Sequence, residues 1–357
     1  MRSTAAAIGL ACCLAIVWSS TAMARQGSQV GAQSDPDQWA WVTARKPTTT
    51  DYTPAAKDQG TVGSSAAVVH RSGVGQYQVM FPGIANPNRV GTVLVTALSG
   101  QPRYCLLYDF GEDVQADITV FVRCYSFDGQ AADSKFSVVF TSGGLNSGTF
   151  AFLLDNGNTQ TDFTPDPNYV YSSAFQPNTV HRSAVGTYQA TLSGMPPGEG
   201  DLQLSTTPDA NCRITGWSGT TSMTVAIKCF AEGTNALIDN GFSLVYSDDV
   251  GMTGLPGRTA AYLFANKPTT SSYTPAAAYR YSSGMQPYVK RSGKGTYTVV
   301  MPGMPVGGAA SVSAVGAGKS RCQLTSIATS KPQKVGVACF TPSGSPVDSQ
   351  FTFSYTK

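Results

Sequence analysis

The chain has 357 residues, 24 Lys and Arg against 21 Asp and Glu, a formal net charge of +3, and only 13% charged residues. At about 100–200 residues per domain, this length predicts two or three domains. Frequent Val, Ile, Phe and Tyr, alternating with Ser, Thr and Gly, exclude a disordered chain and indicate β-sheet.

Arg2, an apolar run from Ala5 to Trp18 and the exit Ala22-Met23-Ala24 read as a secretory signal over residues 1–24, cleaved after Ala24. The run is shorter than the ~20 apolar residues of a membrane span. Cys12 and Cys13 are apolar filler in the discarded peptide, because Gly9-Leu10-Ala11-Cys12 fits a lipid-modification site poorly. Residues 25–38 form a polar leader expected to be disordered. No comparable apolar stretch follows, and Lys357 ends the chain without an apolar tail. A secreted, soluble protein with no membrane span is expected.

Three copies of one unit follow. Arg71-Ser-Gly-Val-Gly-Gln-Tyr77 returns as Arg182-Ser-Ala-Val-Gly-Thr-Tyr188 and Arg291-Ser-Gly-Lys-Gly-Thr-Tyr297. Tyr52-Thr-Pro54 returns as Phe163-Thr-Pro165 and Tyr273-Thr-Pro275, and an Asp (Asp133, Asp239, Asp348) precedes each final strand. This order of landmarks defines β-repeats at residues 39–142, 149–250 and 258–357. Gly-rich joints at 142–148 and 250–257 are short, which predicts a jointed rod.

Each repeat reads as about seven short strands. In the third they are Ala261 to Phe264, Tyr288 to Lys290, Tyr297 to Met301, Ala310 to Val315, Cys322 to Ile327, Lys334 to Phe340 and Phe351 to Tyr355. Alternation such as Tyr297-Thr-Val-Val-Met301 sends one face inward and the other toward water. Seven antiparallel strands in about 100 residues point to an all-β fold of three tandem immunoglobulin-like sandwiches.

Six cysteines remain after cleavage, Cys105 and Cys124, Cys212 and Cys229, Cys322 and Cys339, in three pairs of similar spacing. An even count in an exported chain reads as structural disulfides, each near a hairpin of its own repeat. Closing such a loop stabilises by about 3 kcal/mol on the chain-entropy argument. With no His beside these pairs, zinc is not expected.

On these marks the chain resembles exported bacterial proteins built from tandem repeats of about 110 residues, each with one disulfide. The resemblance covers residues 39–357 and implies fold and compartment, not an activity. The first repeat departs from it, with Asp58 and Gly60 where the others have Tyr169/Tyr171 and Tyr279/Tyr281.

Catalysis needs groups that move protons or attack. The only histidines, His70 and His181, occupy matched positions, and Lys290 replaces them in the third repeat. Gly-x-Ser-x-Gly, Walker, His-Glu-x-x-His and EF-hand patterns are absent. The three aspartates recur once per repeat, so pairing with Arg71, Arg182 and Arg291 or holding the final turn outranks a glycosidase role. Asp109 to Asp113 and Asp162 to Asp166 lack a full calcium ligand set. No enzyme, cofactor or metal is expected. Tyr169/Tyr171 and Tyr279/Tyr281 would suit stacking on sugars or a partner if exposed, and ordinary packing if buried.

Charge is the sharpest signal. Residues 39–142 carry 8 basic and 8 acidic residues, 149–250 carry 3 and 10, and 251–357 carry 11 and 1, giving 0, −7 and +10. Arg280, Lys290, Arg291, Lys294, Lys319, Arg321, Lys331 and Lys334 are therefore candidates for holding an acidic polysaccharide, another cell-envelope polymer or nucleic acid. Equally, acidic and basic repeats would attract each other, within or between molecules. The expected function is binding or adhesion outside the cytoplasm. The alternative is a matrix, coat or filament subunit that self-associates through those repeats. A hydrolase ranks last. Peptide mapping without reductant should return three bridges, each inside one repeat, and a bridge between repeats would break the assignment.

Overall fold

The structure is a computed structural model that describes residues 36–357. The expected signal peptide and residues 25–35 of the leader lie outside the described residues. The leader's last residues are held in place. Pro36 accepts a hydrogen bond from Asn86, and the Asp37 carboxylate accepts from Asn146 and Ser147.

Nine strands recur three times in one order. They are β1 (Gln38–Ala44), β2 (Asp51–Tyr52), β3 (Gln59–Thr61), β4 (Val68–Gly73), β5 (Gln76–Phe81), β6 (Thr92–Leu98), β7 (Arg103–Glu112), β8 (Ile118–Ser126) and β9 (Lys135–Gly143). The second set is β10 (Thr149–Asp155), β11 (Asp162–Phe163), β12 (Val170–Ser172), β13 (Thr179–Ala184), β14 (Thr187–Leu192), β15 (Asp201–Thr206), β16 (Ala210–Ser218), β17 (Met223–Ala231) and β18 (Phe242–Asp248). The third is β19 (Ala260–Ala265), β20 (Ser272–Tyr273), β21 (Arg280–Ser282), β22 (Tyr288–Gly293), β23 (Thr296–Met301), β24 (Ala309–Val315), β25 (Arg321–Ile327), β26 (Gln333–Phe340) and β27 (Gln350–Thr356). All seven strands expected in the third repeat are present. The two that composition did not reveal, β20 and β21, have two and three residues and flank a 3-10 turn. Such short segments carry too little alternation to register.

Each set folds into two sheets facing across an apolar core. One sheet, here called outer, has the order β2-β4-β5-β8-β7 in the first repeat, β11-β13-β14-β17-β16 in the second and β20-β22-β23-β26-β25 in the third. The other, called inner, is β6-β9-β1-β3, β15-β18-β10-β12 and β24-β27-β19-β21. Cys105 and Cys124, Cys212 and Cys229, and Cys322 and Cys339 are directly opposed on adjacent antiparallel strands, with Cα atoms 3.9–4.0 Å apart. Each disulfide therefore staples one sheet, unlike the bridge between sheets of an antibody domain.

The repeats do not form the jointed rod expected from their short joints. They close into a ring through three equivalent contacts. The middle carbonyl of each 3-10 turn accepts an N–H from a glycine of a neighbouring repeat: Lys57 from Gly308 (2.9 Å), Asn168 from Gly91 (3.1 Å) and Ala278 from Gly200 (3.0 Å). So the first repeat meets the third, the second the first, and the third the second. These glycines have φ of +99° (Gly91), +80° (Gly200) and +79° (Gly308). A Cβ at each would sit 2.5–2.7 Å from the carbonyl oxygen of Thr141, Ser247 or Thr356. Only glycine fits.

Sheets also join across repeats. β25 meets β6 in parallel at Leu324 and Leu98, and β16 meets β24 at Ile214 and Val315, making two nine-stranded sheets. At the third junction Pro208 stands where Ser99 and Gly316 donate their N–H to Leu324 O and Ile214 O, and a proline has no N–H to donate. Each core borrows one apolar residue around the ring, Leu154 in the first, Val315 in the second and Leu98 in the third. The joint after β18 is no hinge, because Val250 and Met252 are buried with Trp39, Trp41, Phe150, Phe152 and Tyr171 in a core shared between repeats.

A single repeat would expose half of that shared core. The second repeat expressed alone, residues 149–250, should self-associate or bind an apolar dye, while the full chain does neither. In the full chain Phe152→Ala should cost about 3–5 kcal/mol in denaturant unfolding, although Phe152 lies outside all three sandwich cores.

Candidate functional site: the outer sheet of the basic repeat and the joint beside it

The basic residues of the third repeat divide into two groups. Arg291 donates through Nε and Nη2 to Asp348 at 2.9 and 2.8 Å. Asp348 also accepts from Gly295 N and the Tyr297 hydroxyl. The same cluster recurs around Asp133 with Arg71 and Tyr77, and around Asp239 with Arg182 and Tyr188. The arginine partner holds the Asp239 and Asp348 carboxyls at about 2, well below the ordinary range. Every acceptor site is filled. The cluster locks the final turn of each repeat and leaves Arg291 no charge to offer a polymer.

Arg321 also turns inward. It pairs with Glu232 of the acidic repeat, donates to Ala210 O, and lies over the Tyr104 ring of the first repeat at 4.0 Å. Lys319 Nζ donates to Asn235 O of the second repeat at 2.8 Å. Acidic and basic repeats thus meet within one chain. Arg280 is half-buried against Pro275 O.

Lys290, Lys294, Lys331 and Lys334 remain exposed. Their arrangement follows from strand register. Lys290 opposes Thr298, which opposes Gly336, while Tyr288 opposes Val300, which opposes Lys334. Val289, Val299, Val335 and Val337 take the alternate positions and fill the core. Lys290, Tyr288 and Lys334 therefore share the solvent face, the two lysines roughly 12 Å apart by strand spacing and rise. Lys294 and Lys331 lie in the turns at either end. The one acidic side chain of residues 251–357, Asp348, is the carboxylate already held by Arg291.

Of the two roles open to the tyrosine pairs, the structure shows packing. Tyr171 is 6% exposed, beside Phe150 and Phe152, and donates to Gly144 O. Tyr169 meets Phe110 edge-on, Tyr279 meets Trp217 and Phe264, and Tyr281 stacks on Tyr262. Tyr169 and Tyr279 seal junctions between repeats. The departure in the first repeat has the same cause. Gly60 lies under the Trp41 ring, which fills the space a tyrosine takes elsewhere, and Asp58 binds Arg45.

His70 and His181 each contact an aspartate, Asp51 and Asp162, at 2.7 Å on the exposed outer sheet. Their cross-strand neighbours are Gln78 and Gln189, which supply no nucleophile. The acidic stretches considered for calcium bond their own backbone: Asp113 accepts from Gln115 and Asp117, and Asp166 from Asn168. Among the described residues no group of three or more His, Cys, Asp or Glu is placed to hold a metal, and no helix is long and apolar enough to cross a membrane.

Sequence reading missed the polar interior. Thr96, Ser205 and Ser313 occupy equivalent positions on β6, β15 and β24 and are buried. Ser205 Oγ accepts from Val95 N of the first repeat, Ser313 Oγ accepts from Leu204 N of the second, and Thr96 bonds Ser311 of the third. The contacts run the same way round the ring as the glycine contacts. Alternation by itself places polar residues of a half-buried strand toward water, and here another repeat covers them. Asp201 lies in the same interior, 2% exposed, accepting from Gln203 at 3.0 and 3.2 Å. Burial lifts its carboxyl to about 8, and that of Asp155 to about 6.

The folded-state value of Asp201 lies above the ordinary 3.8, so the native chain keeps a proton that the unfolded chain has released. Stability should therefore fall as pH rises between about 4 and 8. Asp201→Asn should flatten the upper part of this decline and stabilise the chain at pH 8.5. Thermal melts from pH 7.5 to 9, above the range of Asp155, check this, and equal slopes for both proteins would refute it. No family model, curated protein or solved structure matches the chain, and the residues alone carry what can be said of its role.

Proposed function

We propose that the protein is an exported, non-catalytic binding protein of immunoglobulin-like repeats, which holds an acidic polymer on the outer sheet of its third repeat. The carrying observation is the solvent face of β22, β23 and β26, where Lys290 and Lys334 flank Tyr288 with no free carboxylate in the repeat. Such a face attracts polyanions, and an uronic or sulfated polysaccharide of a cell envelope fits it. Because these lysines are exposed, the attraction is screened beyond about 8 Å at physiological salt, and affinity should be salt-sensitive.

The bacterial and exported character rests on the repeat pattern, the disulfides and the signal-like first residues. The non-catalytic reading rests on the His–Asp pairs, which recur without a nucleophile, and on aspartates saturated by structural partners. The assembly alternative relied on attraction between acidic and basic repeats. Arg321 with Glu232 already turns one such charge pair inward, and Lys319 is held at Asn235 O of the second repeat, which favours the binding reading.

The test uses the full chain, because the repeats share a core. Lys290→Glu combined with Lys334→Glu should leave the melting temperature within a few degrees and move elution from a heparin-type resin to clearly lower salt. Elution at unchanged salt, or no retention of the parent protein at low salt, would remove the proposal.

A further inference from the structure

Where the three disulfide hairpins converge, the ring encloses a partly open cavity of about 80 Å³, room for a handful of waters or one small anion. Its walls come from all three repeats at equivalent positions. Val95–Ala97, Leu204–Thr206 and Val312–Ala314 form one side, and the segments beginning at Arg103, Asn211 and Arg321 form the other. Three arginines line it, Arg103, Arg213 and Arg321, and no Asp or Glu does.

These arginines are not equally compensated. Arg321 has Glu232, and Arg103 Nη1 is held by Pro102 O. Arg213 is 3% exposed. Its Nη1 donates to Ser320 O and Oγ, its Nε has no hydrogen-bond partner, and it forms no ion pair among the described residues. Burial alone, with no opposing charge, pulls its pKa down to about 10. A buried guanidinium without a counter-charge is costly and is rarely kept without a reason.

The fold does not demand a cation there. Arg213 follows Cys212 by one residue, and the matching positions after Cys105 and Cys322 hold Leu106 and Gln323. Gln323 performs the joint's structural task with a neutral amide. It donates to Ser99 O and Gln101 O and accepts from Arg103 N, sealing the contact with the next repeat. Leucine suffices at the other position. Arg213 is the odd member of the three, and it lines the cavity together with Arg103 and Arg321.

We propose that this cavity binds a small oxyanion, a carboxylate, sulfate or phosphate group, with Arg213 as its principal ligand and Arg103 and Arg321 beside it. Guanidinium offers paired N–H donors matched to two oxygens of such a group, and an anion supplies the missing counter-charge. The site is distinct from the outer-sheet lysines. Its volume admits one anionic group and not a polymer backbone, so the ligand is a free ion or a single substituent reaching in from a chain.

Calorimetric titration of the full chain with sodium phosphate and sodium sulfate, at ionic strength held constant with sodium chloride, tests the site. One saturable binding event is expected. Arg213→Gln and Arg213→Leu, the residues of the sister repeats, should weaken it at least tenfold, and Arg103→Gln several-fold. The Lys290→Glu, Lys334→Glu protein should bind as the parent does, which separates this site from the polymer-binding face. A sulfated oligosaccharide that displaces inorganic sulfate would assign the ligand to a polymer substituent, and failure to displace would assign it to a free ion. Absence of saturable heat up to tens of millimolar, or unchanged binding in all three arginine variants, overturns the proposal.

Discussion

The burial of each inner sheet on both faces is the constraint on which the rest of the molecule depends. Every residue of β6, β15 and β24 is buried. One face of each sheet completes its own sandwich, and the other needs a partner that a lone repeat cannot supply. An unpartnered sheet face of this size favours association. Three copies joined by short connections satisfy the need internally, each offering one surface to a neighbour and receiving a different one. A head-to-tail contact of this kind closes only when its rotation divides the circle, and three repeats close it.

The chemistry of the contact explains its composition. Two fully apolar faces would slide, whereas buried hydroxyls must find partners. Thr96, Ser205 and Ser313 find them in the neighbouring repeat, which fixes register where the glycine N–H bonds fix distance. The symmetry is broken locally. Pro208 in place of Ser99 and Gly316 loses a strand bridge, while Trp41 over Gly60 replaces a tyrosine. Buried Asp201 and Arg213 have no charged counterpart at matching positions, where Thr92 and Ala309, and Leu106 and Gln323, stand. Departures from a repeated pattern mark the places where one copy does something its sisters do not.

The uneven charge of the repeats has two distinct uses. Part of it, Arg321 with Glu232, is spent where the acidic and basic repeats touch, and contributes to the order of the ring. Another part, Lys290 and Lys334, lies on an outer sheet that the ring leaves open to solvent. Because the outer sheets point away from the shared core, they can diverge in surface chemistry without disturbing it. The histidine–aspartate pairs of the first two repeats and the lysine of the third are such a divergence at one position.

The sequence by itself determined the repeat, the strands long enough to alternate, the pairing of the cysteines and the segregation of charge. These are local or periodic properties, written in residues adjacent in the chain or separated by a constant interval. It also indicated the pairing of Asp133, Asp239 and Asp348 with their arginines, because both partners recur together. Only the tertiary structure decided that the joints are not hinges, that serines at alternate positions face another repeat and not water, and that Arg213 and Asp201 are buried. Alternation tells that two faces differ, but not what covers the second one. That depends on contacts between residues about a hundred or more positions apart, such as Gly308 with Lys57, whose energy exists only once the ring has closed.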